Sequence, residues 1–325
     1  MSLEKRILIT RSWPKSVQAI LEESPFQVQF NRSDQPMDVQ ELAKALQEFD
    51  VICPTVTDSL DAQLFEQVGA NVRCQLLANF GVGVNHIDAQ AAAKLGITIT
   101  NTPGVLTDAT AEIAMSLLLM SARRAAEGER LVRSNNWQGW TPTHMLSTQV
   151  TAKVLGIVGM GRIGSALARQ AHHGFGMEIV YHNRSAVDDS FAQEIHAQRR
   201  DLPTLLGMCD FVSLHCPATP ETRGLIDAHA LSLMPQHAHL INTARGDVVD
   251  EAALVAALSR GDIAGAGLDV YAAEPSIHED LLSLENVVLL PHMGSGTRET
   301  RHAMGMRAWH NVTEFLAGHV PPDRV

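Results

Sequence analysis

Residues Val154-Leu155-Gly156-Ile157-Val158 run without interruption into Gly159-Met160-Gly161-Arg162-Ile163-Gly164. An apolar run that does not alternate with polar residues is what a strand buried on both faces requires. A helix over 165–173 is expected to follow at once, so the three glycines must turn strand into helix within six residues. Gly159 permits the tight turn, Gly161 lets the backbone approach a ligand, and Gly164 lets the helix pack closely on the strand. The helix N-terminus then offers N–H groups and partial positive charge, which suit a pyrophosphate. The alternative is a tight structural turn with no ligand. A second strand at 177–181 completes a βαβ unit and favours the dinucleotide reading.

The same alternation recurs along the chain. Before the glycine turn, strands are expected at 7–10, 26–30, 51–53, 74–78 and 97–99, with helices at 15–22, 38–47, 60–68 and 89–95 between them. After it, strands are expected near 154–158, 177–181, 211–214, 238–242, 264–268 and 287–290. Short apolar strands alternating with helices predict parallel sheets covered on both faces. Two successive alternations predict an α/β protein with two doubly wound parallel-sheet domains. Between them lie a break at Asn101-Thr102-Pro103-Gly104, one long helix over 108–131 and an irregular stretch over 135–147. A last helix is expected over 297–316.

Composition narrows the class. With 325 residues, 45% of them hydrophobic, the chain can bury two cores. A net charge of −11 without a Lys/Arg run argues against nucleic acid and anionic membrane as partners. Cys53, Cys74, Cys209 and Cys216 form no CxxC pair and are read as reduced thiols. The N-terminus has no apolar signal core, and the longest apolar run, 113–120, is broken by Ser116. A cytoplasmic protein is expected. His172-His173 and His237-Ala238-His239 have no cysteine or carboxylate nearby in sequence to complete a ligand set, so no metal is expected.

The end of the strand at 177–181 bears on which dinucleotide binds. A carboxylate about 20 positions past the glycines would accept the ribose 2′-OH of NAD. Here the chain reads His182-Asn183-Arg184-Ser185, and no carboxylate appears before Asp188. Arg184 can pair with a 2′-phosphate, with Asn183 and Ser185 donating hydrogen bonds to it. NADP is therefore expected over NAD, with NAD as the alternative and a merely solvated Arg184 as the bland reading.

Three further polar groups follow strand ends. Arg245 follows 238–241, Glu274 precedes Pro275 after 264–268, and His292 follows Pro291 after 287–290. In open α/β sheets, ligands bind beyond the carboxyl ends of strands. Together with Asn79-Phe80-Gly81-Val82-Gly83-Val84-Asn85-His86-Ile87-Asp88, the glycine turn, His215-Cys216-Pro217, Asn242-Thr243-Ala244-Arg245-Gly246, Gly267-Leu268-Asp269-Val270, Glu274-Pro275 and Pro291-His292, they give the chain a family likeness. It resembles the D-isomer-specific 2-hydroxyacid dehydrogenases over essentially its full length. Within that family it is most similar to the glyoxylate/hydroxypyruvate reductases, through 101–112 and the segment Trp137-Gln138-Gly139-Trp140. Gly296 departs from the alanine common among them.

The resemblance implies a Rossmann nucleotide-binding domain, 102–292, inserted into a flavodoxin-like substrate domain, 1–101 and 293–325. It implies NADP-dependent reduction of a small 2-oxo acid by a homodimer. His292 would be the general acid, Glu274 its hydrogen-bonding partner, and Arg245 the group that binds the substrate carboxylate and polarises the carbonyl. Val56, Val82 and Gly83 would complete the substrate site, with Trp140 entering from a partner subunit. Thr55 and Met293 are further wall candidates. The cofactor would contact Thr107, the turn Gly159 to Gly164, Asn183 to Ser185, His215, Cys216, Pro217, Thr243, Ala244, Asp269 and Gly294. Asp269 is expected by the nicotinamide amide, and the cleft between domains is expected to close during transfer.

Other readings remain on the same scaffold. One is a reductase of a bulkier 2-oxo acid. Another is a dinucleotide-sensing co-repressor of the C-terminal binding protein type, against which stand the paired tryptophans and the Arg184 loop. Phosphoglycerate and formate dehydrogenases are expected to be longer.

Overall fold

The computed structural model describes residues 5–325. The chain divides into two compact units, Met1–Leu106 with Ser295–Val325, and Thr107–Gly294.

In the first unit, β1 (Arg6–Ile9), α1 (Lys15–Glu22), β2 (Gln27–Phe30), α2 (Val39–Glu48), β3 (Val51–Cys53), α3 (Ala62–Val68), β4 (Leu76–Ala78), α4 (Ala89–Lys94) and β5 (Thr98–Thr100) alternate in chain order. The five strands are parallel, in the order β2-β1-β3-β4-β5, which is the flavodoxin-like doubly wound order. β3 and β4 are wholly buried, as expected of central strands covered on both faces, whereas edge strand β2 is only half-buried.

The second unit opens with α5 (Thr107–Ala122) and α6 (Ala125–Arg133), and continues through β6 (Val154–Val158), α7 (Arg162–Phe175), β7 (Glu178–His182), α8 (Asp189–Glu194), β8 (Gln198–Arg199), α9 (Leu202–Met208), β9 (Phe211–Leu214), α10 (Ala228–Leu233), β10 (His239–Asn242), α11 (Glu251–Arg260), β11 (Gly265–Leu268), α12 (Glu279–Ser283) and β12 (Val287–Leu289). Its seven strands are parallel in the order β12-β11-β10-β9-β6-β7-β8. The order reverses direction between β6 and β9, the kind of switch point at which such sheets bind nucleotides. α13 (Arg298–Leu316) then returns to the first unit.

Three expectations need correction. The single helix over 108–131 is two helices. Arg124 adopts a left-handed φ of 53°, Thr148 N–H captures the carbonyl of Ala122, and the Arg124 guanidinium binds Glu127 and the carbonyl of Leu146. The helix after the glycine turn begins at Arg162, with Gly161 as its cap residue, and so takes in Gly164. The second sheet has a seventh strand, β8, of two exposed polar residues.

The histidine pairs do meet carboxylates, brought close by the fold. His237 Nε2 lies 3.1 Å from Asp210 Oδ1, and His173 Nε2 lies 3.5 Å from Glu194 Oε1. Among the described residues no group of three His, Cys, Asp or Glu could hold a metal ion. No described helix is long and apolar enough to cross a membrane. All four cysteines are free and buried.

Two packing details carry consequences. Asp323, 7% exposed, takes two hydrogen bonds of 2.6 Å from Arg307 and one of 2.9 Å from Asn311. Its own carbonyl accepts from Asn101 N–H, so the chain end is stitched to the residue after β5. Burial alone would raise its pKa, but Arg307 and Asn311 outweigh burial and hold it below the ordinary 3.8. A depressed carboxylate stabilises the fold above its unfolded pKa and loses that contribution as pH falls through the folded value. Replacing Asp323 with Asn should therefore lower stability near neutral pH by about 1–3 kcal/mol and flatten its acid dependence. Urea unfolding between pH 3 and 7 measures both.

The second detail is Gly246. A Cβ there would lie 1.9 Å from the Tyr271 carbonyl carbon and 2.2 Å from Ala272 N. The loop after β10 thus rests directly on the loop after β11. Gly246→Ala should cost at least about 1–3 kcal/mol, read as a lower melting temperature.

Candidate active site

The glycine turn owes its shape to contacts a side chain would block. Gly159 has φ 95°, and a Cβ on it would sit 2.5 Å from Cys216 N. One on Gly164 would sit 2.6 Å from Gly159 O. Around Gly161 there is open space. Met160 is buried, and its N–H donates to Asn183 Oδ1 at 2.7 Å, while Asn183 Nδ2 donates back to Met160 O at 3.3 Å. The turn and the end of β7 are therefore tied together. α7 starts without a side-chain cap, leaving the N–H groups of Arg162 and Ile163 for a ligand.

Arg184 and Ser185 are exposed, and Arg184 forms no salt bridge among the described residues. Asp188, the first carboxylate after β7, caps α8 by accepting from Ser190 and Phe191 N–H at 3.0 and 3.3 Å. On the other side of the switch point, His215 N–H donates to Val158 O at 2.8 Å and Nε2 lies 2.8 Å from Ser213 Oγ. Burial pushes His215 down to about 4, so it is neutral. Cys216 is buried beside Gly159, and Pro217 is exposed, its carbonyl accepting from Thr222 Oγ1 at 2.6 Å. Thr107 begins α5 and is half-buried.

The Arg245, Glu274 and His292 loops follow the adjacent parallel strands β10, β11 and β12. His292 Nδ1 lies 2.6 Å from Glu274 Oε2, both side chains about a third exposed. Burial would raise Glu274, but hydrogen bonds from His292 and from Tyr271 N–H, with the nearby Arg245 charge, leave its pKa lowered. An ionised Glu274 makes Nδ1 the protonated nitrogen and leaves Nε2 for other partners. Arg245 is near Glu274 but not ion-paired with it, and burial lowers its pKa without threatening its charge. Asn242 shapes its loop: Oδ1 accepts from Ala244 N–H at 3.0 Å and Nδ2 donates to Arg245 O at 2.9 Å. Thr243 Oγ1 is buried with no hydrogen-bond partner.

Asp269 is engaged by backbone. Its Oδ1 accepts from Met293 N–H and its Oδ2 from Gly294 N–H, both at 2.8 Å, and its carbonyl accepts from His292 N–H at 2.9 Å. Burial raises its pKa, with these N–H groups opposing the rise.

In the first unit, Asn101 Nδ2 donates to Val82 O at 2.8 Å and Asn79 Nδ2 to Gly83 O at 3.0 Å, fixing that loop. Thr55 N–H donates to buried Asp58, and Val56 beside it is exposed. Trp140 is 77% exposed.

Sequence reasoning missed two holding residues. Tyr271 supplies the N–H to Glu274 and bonds its hydroxyl to Leu290 O at 2.9 Å. Arg199 Nη2 donates to the carbonyls of Asn183 and Arg184. Neither carries a motif signal, although a tyrosine just after Asp269-Val270 is visible in the sequence.

These residues fit a dinucleotide. Open space at Gly161, an uncapped helix start and an orphaned Thr243 hydroxyl are what a bound pyrophosphate and its ribose would occupy.

Comparison with known proteins agrees. Residues 115–294 match the model of the D-isomer specific 2-hydroxyacid dehydrogenase, NAD binding domain. A glyoxylate reductase of Thermococcus litoralis is 42% identical, over 99% of this chain and 97% of its own. A crystal structure from Thermus thermophilus superposes with a TM-score of 0.89 at 40% identity, covering 98% of this chain and 99% of that one. The NADPH-dependent glyoxylate/hydroxypyruvate reductase of Sinorhizobium meliloti, solved with NADP and malonate, does so with a TM-score of 0.86 at 33% identity, covering 99% and 97%. The chain belongs to the D-isomer-specific 2-hydroxyacid dehydrogenases, oxidoreductases that use a nicotinamide dinucleotide.

Proposed function

We propose that this protein reduces a small 2-oxo acid, glyoxylate or hydroxypyruvate, to the D-2-hydroxy acid with NADPH, as a homodimer. The observation that carries the reading is the 2.6 Å contact between His292 and Glu274, one strand away from Arg245 at the carboxyl end of a parallel sheet. The names of the relatives, glyoxylate reductases at about 40% identity, support the substrate class.

A dinucleotide held at the glycine turn would supply the hydride for the carbonyl carbon. His292, protonated, gives a proton from Nε2 to the carbonyl oxygen as charge develops there. Glu274 accepts from Nδ1–H and orients the ring so that Nε2 faces the carbonyl oxygen. Arg245 binds the substrate carboxylate through its planar fork, and its partial burial strengthens that attraction. Asp269, through Met293 and Gly294, holds the loop that carries His292.

Two observations favour NADP. The Arg184 guanidinium has no salt-bridge partner among the described residues, and Asp188 is committed to capping α8. The exposed Trp140 supports the dimer, in which it would reach a partner's substrate site.

NADPH and NADH oxidation should be followed with glyoxylate, hydroxypyruvate, pyruvate and phenylpyruvate. The expected result is turnover of the first two with a higher kcat/KM for NADPH. Equal values for the two cofactors overturn the cofactor choice, and no turnover of either small acid overturns the substrate class. His292→Ala should lower kcat by roughly 10²–10⁴-fold. Arg245→Lys should stay strongly impaired, because an ammonium cannot copy the planar fork. Sedimentation should give a dimer, and Trp140→Ala should raise KM for the oxo acid. A monomer overturns the role of Trp140.

A further inference from the structure

The loop leaving β7 is held by a residue that belongs to no recognised element of the site. We propose that Arg199, on edge strand β8, is a positioning residue that makes this chain select a 2′-phosphorylated dinucleotide. The inference rests on the NADP reading and names what sets the preference beyond Arg184.

Arg199 Nη2 donates to Asn183 O at 2.9 Å and to Arg184 O at 2.8 Å. Two successive carbonyls are thus drawn to the β8 side. Both peptide bonds are trans, since the cis bond recorded is Glu274-Pro275. In a trans peptide the N–H points opposite to the C=O of the same plane. The N–H groups of Arg184 and Ser185 therefore point away from Arg199. Neither has a hydrogen-bond partner among the described residues.

The same end of the loop is fastened by a side chain too, because Asn183 pairs with both Met160 N and Met160 O across the glycine turn. Directly after these anchors the chain presents two consecutive N–H groups, the Ser185 hydroxyl and the Arg184 guanidinium. Consecutive N–H groups on one side of a loop form a concavity that suits anionic oxygens. Without Arg199 the two carbonyls could rotate toward that concavity, and their lone pairs would repel a phosphate. Arg200 braces the arrangement: its Nη1 donates to Arg199 O at 3.0 Å, and its N–H to Tyr181 O at 2.9 Å. Arg199 is exposed, so its replacement leaves the core untouched.

The test is calorimetric titration with ADP-ribose and with its 2′-phosphorylated form, which needs no turnover. Wild type should bind the phosphorylated form more tightly. Arg199→Gln should weaken that binding roughly tenfold and leave ADP-ribose within about twofold. Arg199→Lys should recover part of the loss, since an ammonium can still donate to both carbonyls. An equal loss for both ligands means that Arg199 only supports the fold of the loop, and overturns the inference. So does no loss for either, while the wild-type preference stands. A wild type that binds both equally overturns the NADP reading itself, and the inference with it.

Discussion

A single buried carboxylate organises the chemistry-bearing end of the second sheet. Asp269, 1% exposed, receives the N–H groups of Met293 and Gly294 on its two oxygens and that of His292 on its carbonyl. Its own N–H donates to Asn242 O, so β10, β11 and the segment after β12 converge on one residue. The anchoring is needed because His292 has φ 52°, a left-handed conformation that costs a non-glycine residue roughly 1–2 kcal/mol. Three hydrogen bonds to one rigid partner make that conformation the stable one. The His292 ring is thereby aimed at Glu274, whose own loop rests on Gly246 and so on the Arg245 loop.

Much of this was legible in the sequence because it follows from strong local patterns. Uninterrupted apolar runs marked β3 and β6, and β9 carries one serine in an otherwise apolar run; the residues of all three are almost wholly buried. Gly159 and Gly164 are glycines for the steric reasons their spacing suggests. The positions of Arg245, Glu274 and His292 beyond strand ends were readable from the alternation alone. What escaped was decided by contacts distant in sequence. No glycine or proline marks the break between α5 and α6, which comes from Thr148 capping Ala122 and from the left-handed Arg124. β8 is two polar residues paired on one side only, so it has no hydrophobic signature. The duty of Asp269 toward backbone N–H groups is invisible in a motif that shows only its carboxylate.

The acidity of the chain also has a local meaning. Asp38, Asp61, Asp88, Asp188, Asp201, Asp227 and Asp250 each cap a helix N-terminus. A carboxylate there satisfies open N–H groups and complements the helix dipole. α7, like α1, α6 and α12, has no side-chain cap, and Gly161 stands in its cap position. The helix that faces the glycine turn is left uncapped in a protein that caps helices with aspartate repeatedly, which reserves its positive end for an anion from outside.

The four buried cysteines give the protein a chemical temperament. Reaction with oxidants, alkylating agents and disulfides proceeds through the thiolate. Burial raises all four thiols, with Cys216 at about 11 and Cys74 and Cys209 at about 12. Near neutral pH almost none of the sulfur is ionised, and all four residues are buried. Cys216 is the instructive case, since it packs against the backbone of Gly159 at the core of the dinucleotide turn. A reactive thiol there would tie the glycine turn to the redox state of its surroundings, whereas burial keeps this one in the un-ionised thiol form.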